Sequence, residues 1–100
     1  MAWVALVFAG LFEIVWATAM KASEGFTRPW PVALMLVTMI LSFALLAYAM
    51  RMLPLGTAYA VWTGIGALGS FAVGVLVLGE PATAMRLAAA GLILAGIVLL

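Results

Sequence analysis

The chain has one hundred residues, of which 70% are hydrophobic and only 7% are charged. An ordinary soluble domain is about half apolar and about a quarter charged, so this composition excludes a water-soluble protein. A net charge of +1 offers no basic surface to nucleic acid, and no thiolate metal site is available because cysteine and histidine are both missing. We therefore expect an integral membrane protein without a metal or cofactor.

The length accommodates four membrane spans, because a helix needs about 20 apolar residues to cross a bilayer core of about 30 Å. The few charges lie in short polar stretches between long apolar runs. We predict an all-α protein with a single transmembrane domain over residues 1–100. Its four helices are predicted at about residues 2–20, 30–50, 55–78 and 83–100. Helix 4 should begin near Thr83, with Arg86 extending to the interface.

Helix 1 contains the most informative residue, Glu13. An ionised carboxylate near the bilayer centre costs about 2.5–3.5 kcal/mol on insertion scales, and no span contains a cation that would neutralise it. In one interpretation Glu13 has a purely structural role, as a protonated glutamate that is hydrogen-bonded between helices. In the other it has a functional role, as a carboxylate that binds a proton or an external cation. Trp16 and the small residues Ala9, Gly10 and Ala17 lie one turn away, which suits either a binding pocket or close helix packing.

Helix 2 offers two hydroxyl groups, Thr38 and Ser42, one turn apart. Such hydroxyls in membrane helices usually bond to their own backbone. We predict that behaviour for Thr38. For Ser42 the sequence leaves backbone bonding and a role in a pocket equally open.

Helix 3 contains Tyr59 and Trp62 at helical spacing with Gly66, Gly69 and Ser70. Two aromatic rings therefore lie beside a groove lined by small residues. An interfacial aromatic belt is the alternative interpretation for the two rings. The segment from Gly64 to Gly69 contains three glycines, which permit a kink or a close helix crossing. We predict Gly64 and Gly66 as a hinge or crossing point.

Helix 4 has no polar side chain after Arg86. Ala89 and Gly96 lie two turns apart on one face, a pattern suited to helix association. We predict an oligomer contact there, with packing inside the chain's own bundle as the alternative.

The cations give only a weak orientation signal. With four spans, Lys21, Arg28 and Arg86 share one face of the membrane, whereas Arg51 lies on the face that holds both termini. A difference of two cations is small for the positive-inside rule, so either insertion is compatible with the sequence.

Three long runs of the sequence are distinctive, namely Phe12-Glu-Ile-Val-Trp-Ala17, Lys21-Ala-Ser-Glu-Gly-Phe-Thr-Arg28 and Leu53-Pro-Leu-Gly-Thr-Ala-Tyr-Ala-Val-Trp-Thr-Gly-Ile-Gly-Ala67. Through these runs the chain resembles, over its whole length, the small multidrug resistance transporters. Within that family, Trp16-Ala17, Ser42 and Gly56–Thr63 are similar to the guanidinium-exporter subtype. Residues 23–30 are instead similar to the drug-exporting branch, so an exporter of hydrophobic quaternary ammonium drugs is the alternative.

The resemblance implies a dual-topology, antiparallel homodimer in the bacterial inner membrane that exchanges protons for a small organic cation. It also implies that Glu13 is the shared site for substrate and proton, and that Trp16, Ser42, Tyr59 and Trp62 line the pocket. Two Glu13 carboxylates close to one pocket would titrate as a coupled pair. Ser42 would hydrogen-bond a carboxylate and fix its orientation.

Guanidinium suits such a pocket because it is planar, matches a carboxylate with two hydrogen bonds and stacks on aromatic rings. A quaternary ammonium ion would use only its charge and the ring faces. A different hypothesis is a non-transporting membrane subunit whose Glu13 stays protonated. We do not expect an enzyme, since no pair of nucleophile and base is visible.

Overall fold

A computed structural model describes all one hundred residues and contains four α-helices, so the prediction of an all-α, four-helix protein is confirmed. The helices are α1 (Ala2–Ala22), α2 (Pro29–Met50), α3 (Leu55–Leu76) and α4 (Ala84–Leu99). Their ends lie within two residues of the predicted ones. The boundaries follow the polar stretches because only an uninterrupted apolar helix satisfies its own backbone in a bilayer.

Three of the helices, α1, α2 and α3, are long and apolar enough to cross a membrane. The fourth, α4, has 16 residues, which corresponds to about 24 Å at about 1.5 Å per residue. That length is shorter than a bilayer core of about 30 Å. A fourth crossing by α4 therefore stays a prediction.

The first loop is a tight turn built on Ser23. Ser23 is completely buried, and its hydroxyl donates to the Met20 carbonyl at 2.7 Å while accepting from the Phe26 backbone N–H at 3.1 Å. Glu24, Gly25 and Phe26 then all adopt positive φ angles, a left-handed turn that reverses the chain direction. Pro29, whose nitrogen carries no hydrogen to leave unpaired, begins α2.

The helices form a flat bundle in which α1 packs against both α2 and α3, and α4 packs only against α3. The Cα extents are 37 × 35 × 16 Å. Since the Cα atoms of a helix lie about 2.3 Å from its axis and packed helix axes lie about 8–10 Å apart, this Cα thickness accommodates at most two helix layers. Only 18 of the 100 residues are buried. Both broad faces of the bundle therefore present apolar side chains to the surroundings.

Glycines bring α3 close to its neighbours. A Cβ atom at Gly10 would collide with Ile65, and one at Gly69 would collide with Ile14, so α1 and α3 meet through these two glycines. Gly64 receives Ile97 of α4 in the same way. Close approach through small residues is typical of helix packing in membranes, where association depends on van der Waals contact.

Candidate functional site: an acid within the helix bundle

Glu13 lies in the middle of α1 and points toward α3. Its carboxylate rests against the backbone of Gly66, where a Cβ atom would overlap it. Its Oε1 atom is buried without a hydrogen-bond partner, and the only ion pair in the chain joins two other residues, Glu80 and Arg86. A buried oxygen without a partner costs about 1–3 kcal/mol. No other side chain of the protein therefore satisfies this oxygen.

The indole of Trp16 lies one turn further along α1, and its Nε1 atom is also buried without a partner. Glu13 and Trp16 together therefore present an unsatisfied acceptor and an unsatisfied donor on neighbouring turns. These are the only buried side-chain polar atoms in the chain without a hydrogen bond. Unsatisfied polar groups concentrate here and nowhere else, which is typical of a functional site.

Four aromatic rings form a continuous row that starts at Trp16, one turn of α1 from Glu13. Trp16 contacts Phe43 edge-on at 6.4 Å between ring centroids, Phe43 lies 5.7 Å from Trp62, and Trp62 lies 5.8 Å from Tyr59. The row connects α1 through α2 to α3. Ring faces attract cations through their negative quadrupole, so the row gives the acid an environment suited to a flat or bulky cation.

Phe43 was missed by the sequence prediction. It is about half exposed (48%), yet its ring joins Trp16 to the Trp62–Tyr59 pair. The one sequence feature that marked Phe43 was its position directly after Ser42, in a helix whose other residues are almost all apolar. That signal is weak, because α2 is apolar on all sides and its sequence does not indicate which face meets α1 and α3.

Ser42 connects three helices. Its hydroxyl donates to the Ala9 carbonyl of α1 at 2.6 Å and accepts from the Trp62 Nε1 of α3 at 3.0 Å. The hydroxyl has a single proton, which goes to Ala9, so the expected hydrogen bond from Ser42 to a carboxylate is not formed within this chain. Ser42 instead fixes the indole of Trp62. Thr38 bonds back to the Leu34 carbonyl at 2.8 Å, which confirms the prediction of backbone bonding there.

Replacing Ser42 with Ala (Ser42→Ala) should leave the buried Trp62 N–H unpaired and remove the hydrogen bond that the Ala9 carbonyl receives from α2. We expect a loss of about 1–2 kcal/mol in stability, measured as a lower midpoint of unfolding in detergent. Thr38→Val is the matched control on the same helix. It removes a hydroxyl that only bonds to its own helix and should change the midpoint little. Equal losses in both variants would contradict the bridging role of Ser42.

The two glycines predicted as a hinge lie in an unbroken stretch of α3. Both are buried, with Gly64 facing Ile97 and Gly66 facing Glu13. The observed geometry is a close crossing at each of them, and the hinge stays a prediction. Likewise Ala9 and Gly10 are buried in helix contacts, which favours the packing interpretation for that pair.

The surface of α4 that carries Ala89 and Gly96 is uncovered within the chain. No residue of α4 is buried, and a Cβ atom at Gly96 would meet nothing within 4 Å. The interpretation as packing inside the chain's own bundle is therefore not observed for Gly96. The oligomer contact on this face stays a prediction.

Fold and site together define a multi-pass helical membrane protein with one acid between its helices, beside aromatic rings and without a cation of its own. No three His, Cys, Asp or Glu side chains come close enough to hold a metal ion. The family model for the Small Multidrug Resistance protein matches residues 1–93. The chain belongs to this family of membrane transporters.

Several similar proteins cover nearly the whole chain. A protein of Yersinia pestis named Guanidinium exporter is 56% identical over 98 residues, which are 98% of this chain and 94% of that protein. Proteins of the same name from Escherichia coli (strain K12) and Salmonella typhimurium are 54% identical over 98 residues, covering 98% of this chain and 93% of each relative. These identities confirm the predicted resemblance, since the chain is similar to proteins named Guanidinium exporter.

Proposed function

We propose that the protein exports guanidinium and small guanidinyl cations by exchanging them for protons at Glu13. One observation carries the proposal, namely that Glu13 Oε1 is buried within a span without a hydrogen-bond partner or a cation. A proton and an incoming cation both neutralise the same charge, so they compete for it. If the site opens to one face at a time and changes sides only when loaded, this competition produces antiport.

The surroundings of Glu13 favour a guanidinium ion as the cation. Guanidinium is planar and donates two parallel hydrogen bonds to a carboxylate, and its faces stack on aromatic rings. Trp16 borders the carboxylate on its own helix, and Phe43, Trp62 and Tyr59 continue the row of rings. The relatives named Guanidinium exporter, at 54–56% identity, support the same choice.

We further propose that the working unit is an antiparallel homodimer whose two copies insert in opposite orientations. The bundle is 16 Å thick in its thinnest direction, and Tyr59 remains 54% exposed although it belongs to the row of rings beside Glu13. A second copy would cover such a face. Two oppositely inserted copies would form the inverted pair that many transporters use, with their site at the interface.

Charge and surface features are compatible with that arrangement. The two faces of the membrane would differ by only two cations, a bias too small to fix a single orientation. The uncovered α4 face with Ala89 and Gly96 would supply a contact between copies. The relatives come from bacteria, and we propose the inner membrane as the location.

Purified protein in liposomes with an acidic lumen tests the function. We expect the vesicles to accumulate guanidinium against its gradient while protons leave. Tetraphenylphosphonium, a bulky hydrophobic cation without donors, should be accumulated poorly. Accumulation of tetraphenylphosphonium alone would instead assign a drug exporter of the same mechanism. Accumulation of neither cation would favour a non-transporting subunit with a permanently protonated Glu13.

A further inference from the structure

A second carboxylate, Glu80, lies beside a guanidinium group that belongs to the chain itself. Arg86 at the start of α4 places its Nη2 atom 3.9 Å from Glu80 Oε1, and its Nη1 atom donates to the Pro81 carbonyl. The guanidinium carbon lies 5.0 Å from the centroid of the Phe71 ring. The guanidinium of Arg86 is thus surrounded by a carboxylate, a carbonyl and an aromatic ring.

The same kinds of group surround Glu13. There a carboxylate lies one helical turn from the indole of Trp16, and no side chain of the protein pairs with its buried oxygen. Near Glu80 a carboxylate lies close to the ring of Phe71, and the cation is the end of an arginine side chain. Free guanidinium is chemically the head group of arginine, so the groups that hold Arg86 would also hold the free ion.

The carboxylate of Glu80 is positioned independently of Arg86. The Glu80 backbone N–H donates to the Gly74 carbonyl at 2.9 Å, and the side chain lies in the space that a Cβ atom at Gly74 would occupy. The start of α4 is capped separately, because the Arg86 backbone N–H donates to the Thr83 hydroxyl at 3.2 Å. Withdrawal of the Arg86 side chain would therefore leave Glu80 and the helix start in place.

The ion pair itself is weak enough to exchange. A separation of 3.9 Å is too long for a hydrogen bond, and both side chains are 38% exposed. Exposed ion pairs of this kind contribute about 0–1 kcal/mol. A free guanidinium ion, which is not constrained by a side-chain stem, can adopt the shorter paired geometry with the same carboxylate.

A cavity of about 350 Å³ lies beside this pair, between α1, α3 and the start of α4, and Glu80 and Arg86 line it. Its lining also includes Ala17 and Ala67, which follow Glu13 by one turn on α1 and Gly66 by one position on α3, although Glu13 itself does not line it. The hydroxyl-bearing residues Thr18 and Ser70 and the ammonium of Lys21 also line it. The positive charges of Lys21 and Arg86 repel a cation in this cavity and would weaken its binding.

We infer that Glu80 and Phe71 form a second, transient guanidinium site at the mouth of this cavity, which Arg86 occupies until the transported ion displaces it. The inference rests on the proposed function, because it takes guanidinium as the ion that moves between this mouth and Glu13. The site would hold guanidinium on the face of the membrane that carries the α1–α2 and α3–α4 connections.

Nitrogen NMR of the arginine side chains in the Glu13→Gln variant tests the inference directly, since that variant lacks the main carboxylate. Guanidinium chloride at millimolar concentration should shift the Arg86 Nε signal in a saturable way, and sodium chloride at the same concentration should not. Arg28 and Arg51, the only other arginines, are internal controls. Adding Glu80→Gln should abolish the shift. No shift, or one equal in all three arginines, would overturn the inference.

Transport kinetics supply a second test that a purely structural ion pair would fail. Glu80→Gln should raise the KM for guanidinium about two- to fivefold, and Arg86→Lys, which keeps the charge but loses the planar group, should lower it. A structural ion pair predicts the same direction for both variants, and that result would overturn the inference. The NMR shift does not require transport, so failure of the second site and failure of the proposed export are distinguishable.

Discussion

Replacing Glu13 with Gln (Glu13→Gln) is expected to reduce guanidinium exchange about 100-fold or more. The amide keeps the size and shape of the side chain but removes the only acidic group within the four helices. A cation in the bundle would then lack a counter-charge, which costs about 2.5–3.5 kcal/mol on insertion scales, equivalent to about 70- to 400-fold. The measurement is the initial rate of guanidinium uptake into liposomes with an acidic lumen.

The matched control for this variant is Glu24→Gln. Glu24 is exposed in the loop between α1 and α2, and its side chain forms no ion pair. The control makes the same chemical change and should retain the wild-type rate. A Glu13→Gln protein that transports guanidinium at more than a tenth of the wild-type rate would show that Glu13 is not the exchange site.

The second large effect is expected for Gly66→Ala. A methyl group at this position would overlap the carboxylate of Glu13, so either the carboxylate or the helix contact must move. Overpacking of this kind costs about 1–3 kcal/mol, which corresponds to about five- to 150-fold. We expect guanidinium uptake to fall by that factor, because the strain falls directly on the carboxylate that we propose to bind the ion.

Gly56→Ala is the matched control on the same helix. A Cβ atom at Gly56 would meet nothing within 4 Å, so the variant adds one methyl group without an internal contact. Its uptake rate should stay within about twofold of wild type, since surface substitutions usually change free energies by less than about 0.5 kcal/mol. Equal rates for Gly66→Ala and wild type would contradict the contact between Gly66 and Glu13.

The helices were predictable because a bilayer imposes a simple rule on the sequence. Charged and proline-containing stretches fall between apolar runs, and backbone groups in lipid must be satisfied within a helix. Glu13 was singled out for a related reason, because an ionisable acid within an apolar run has a high free-energy cost in the bilayer. Neither inference required knowledge of how the helices pack.

The partners of Ser42 could not be predicted, because they depend on the rotation of α2 about its own axis. An apolar helix in a membrane has no polar face to indicate that rotation. Thr38 and Ser42 therefore looked alike in the sequence, although one bonds within its helix and the other connects α1 to α3. Phe43 was missed for the same reason.

The glycines of α3 illustrate a different limit. Their spacing predicted either flexibility or close approach, and a missing side chain does not identify what fills the space. In the structure Gly66 receives the carboxylate of Glu13, whereas Gly64 receives Ile97. The sequence thus marked Gly66 as a position without a side chain, but which group fills the space beside it depends on the register between α1 and α3.

Coupling between the cation and the proton at Glu13 is the central claim, and one measurement tests it most directly. Liposomes loaded with guanidinium are diluted into guanidinium-free buffer at equal pH, with potassium and valinomycin on both sides to hold the voltage at zero. The lumen should acidify as guanidinium leaves, because each departing ion is replaced by protons, and Glu13→Gln vesicles should show no change. Departure of guanidinium through the wild-type protein without any change in lumenal pH would contradict proton exchange.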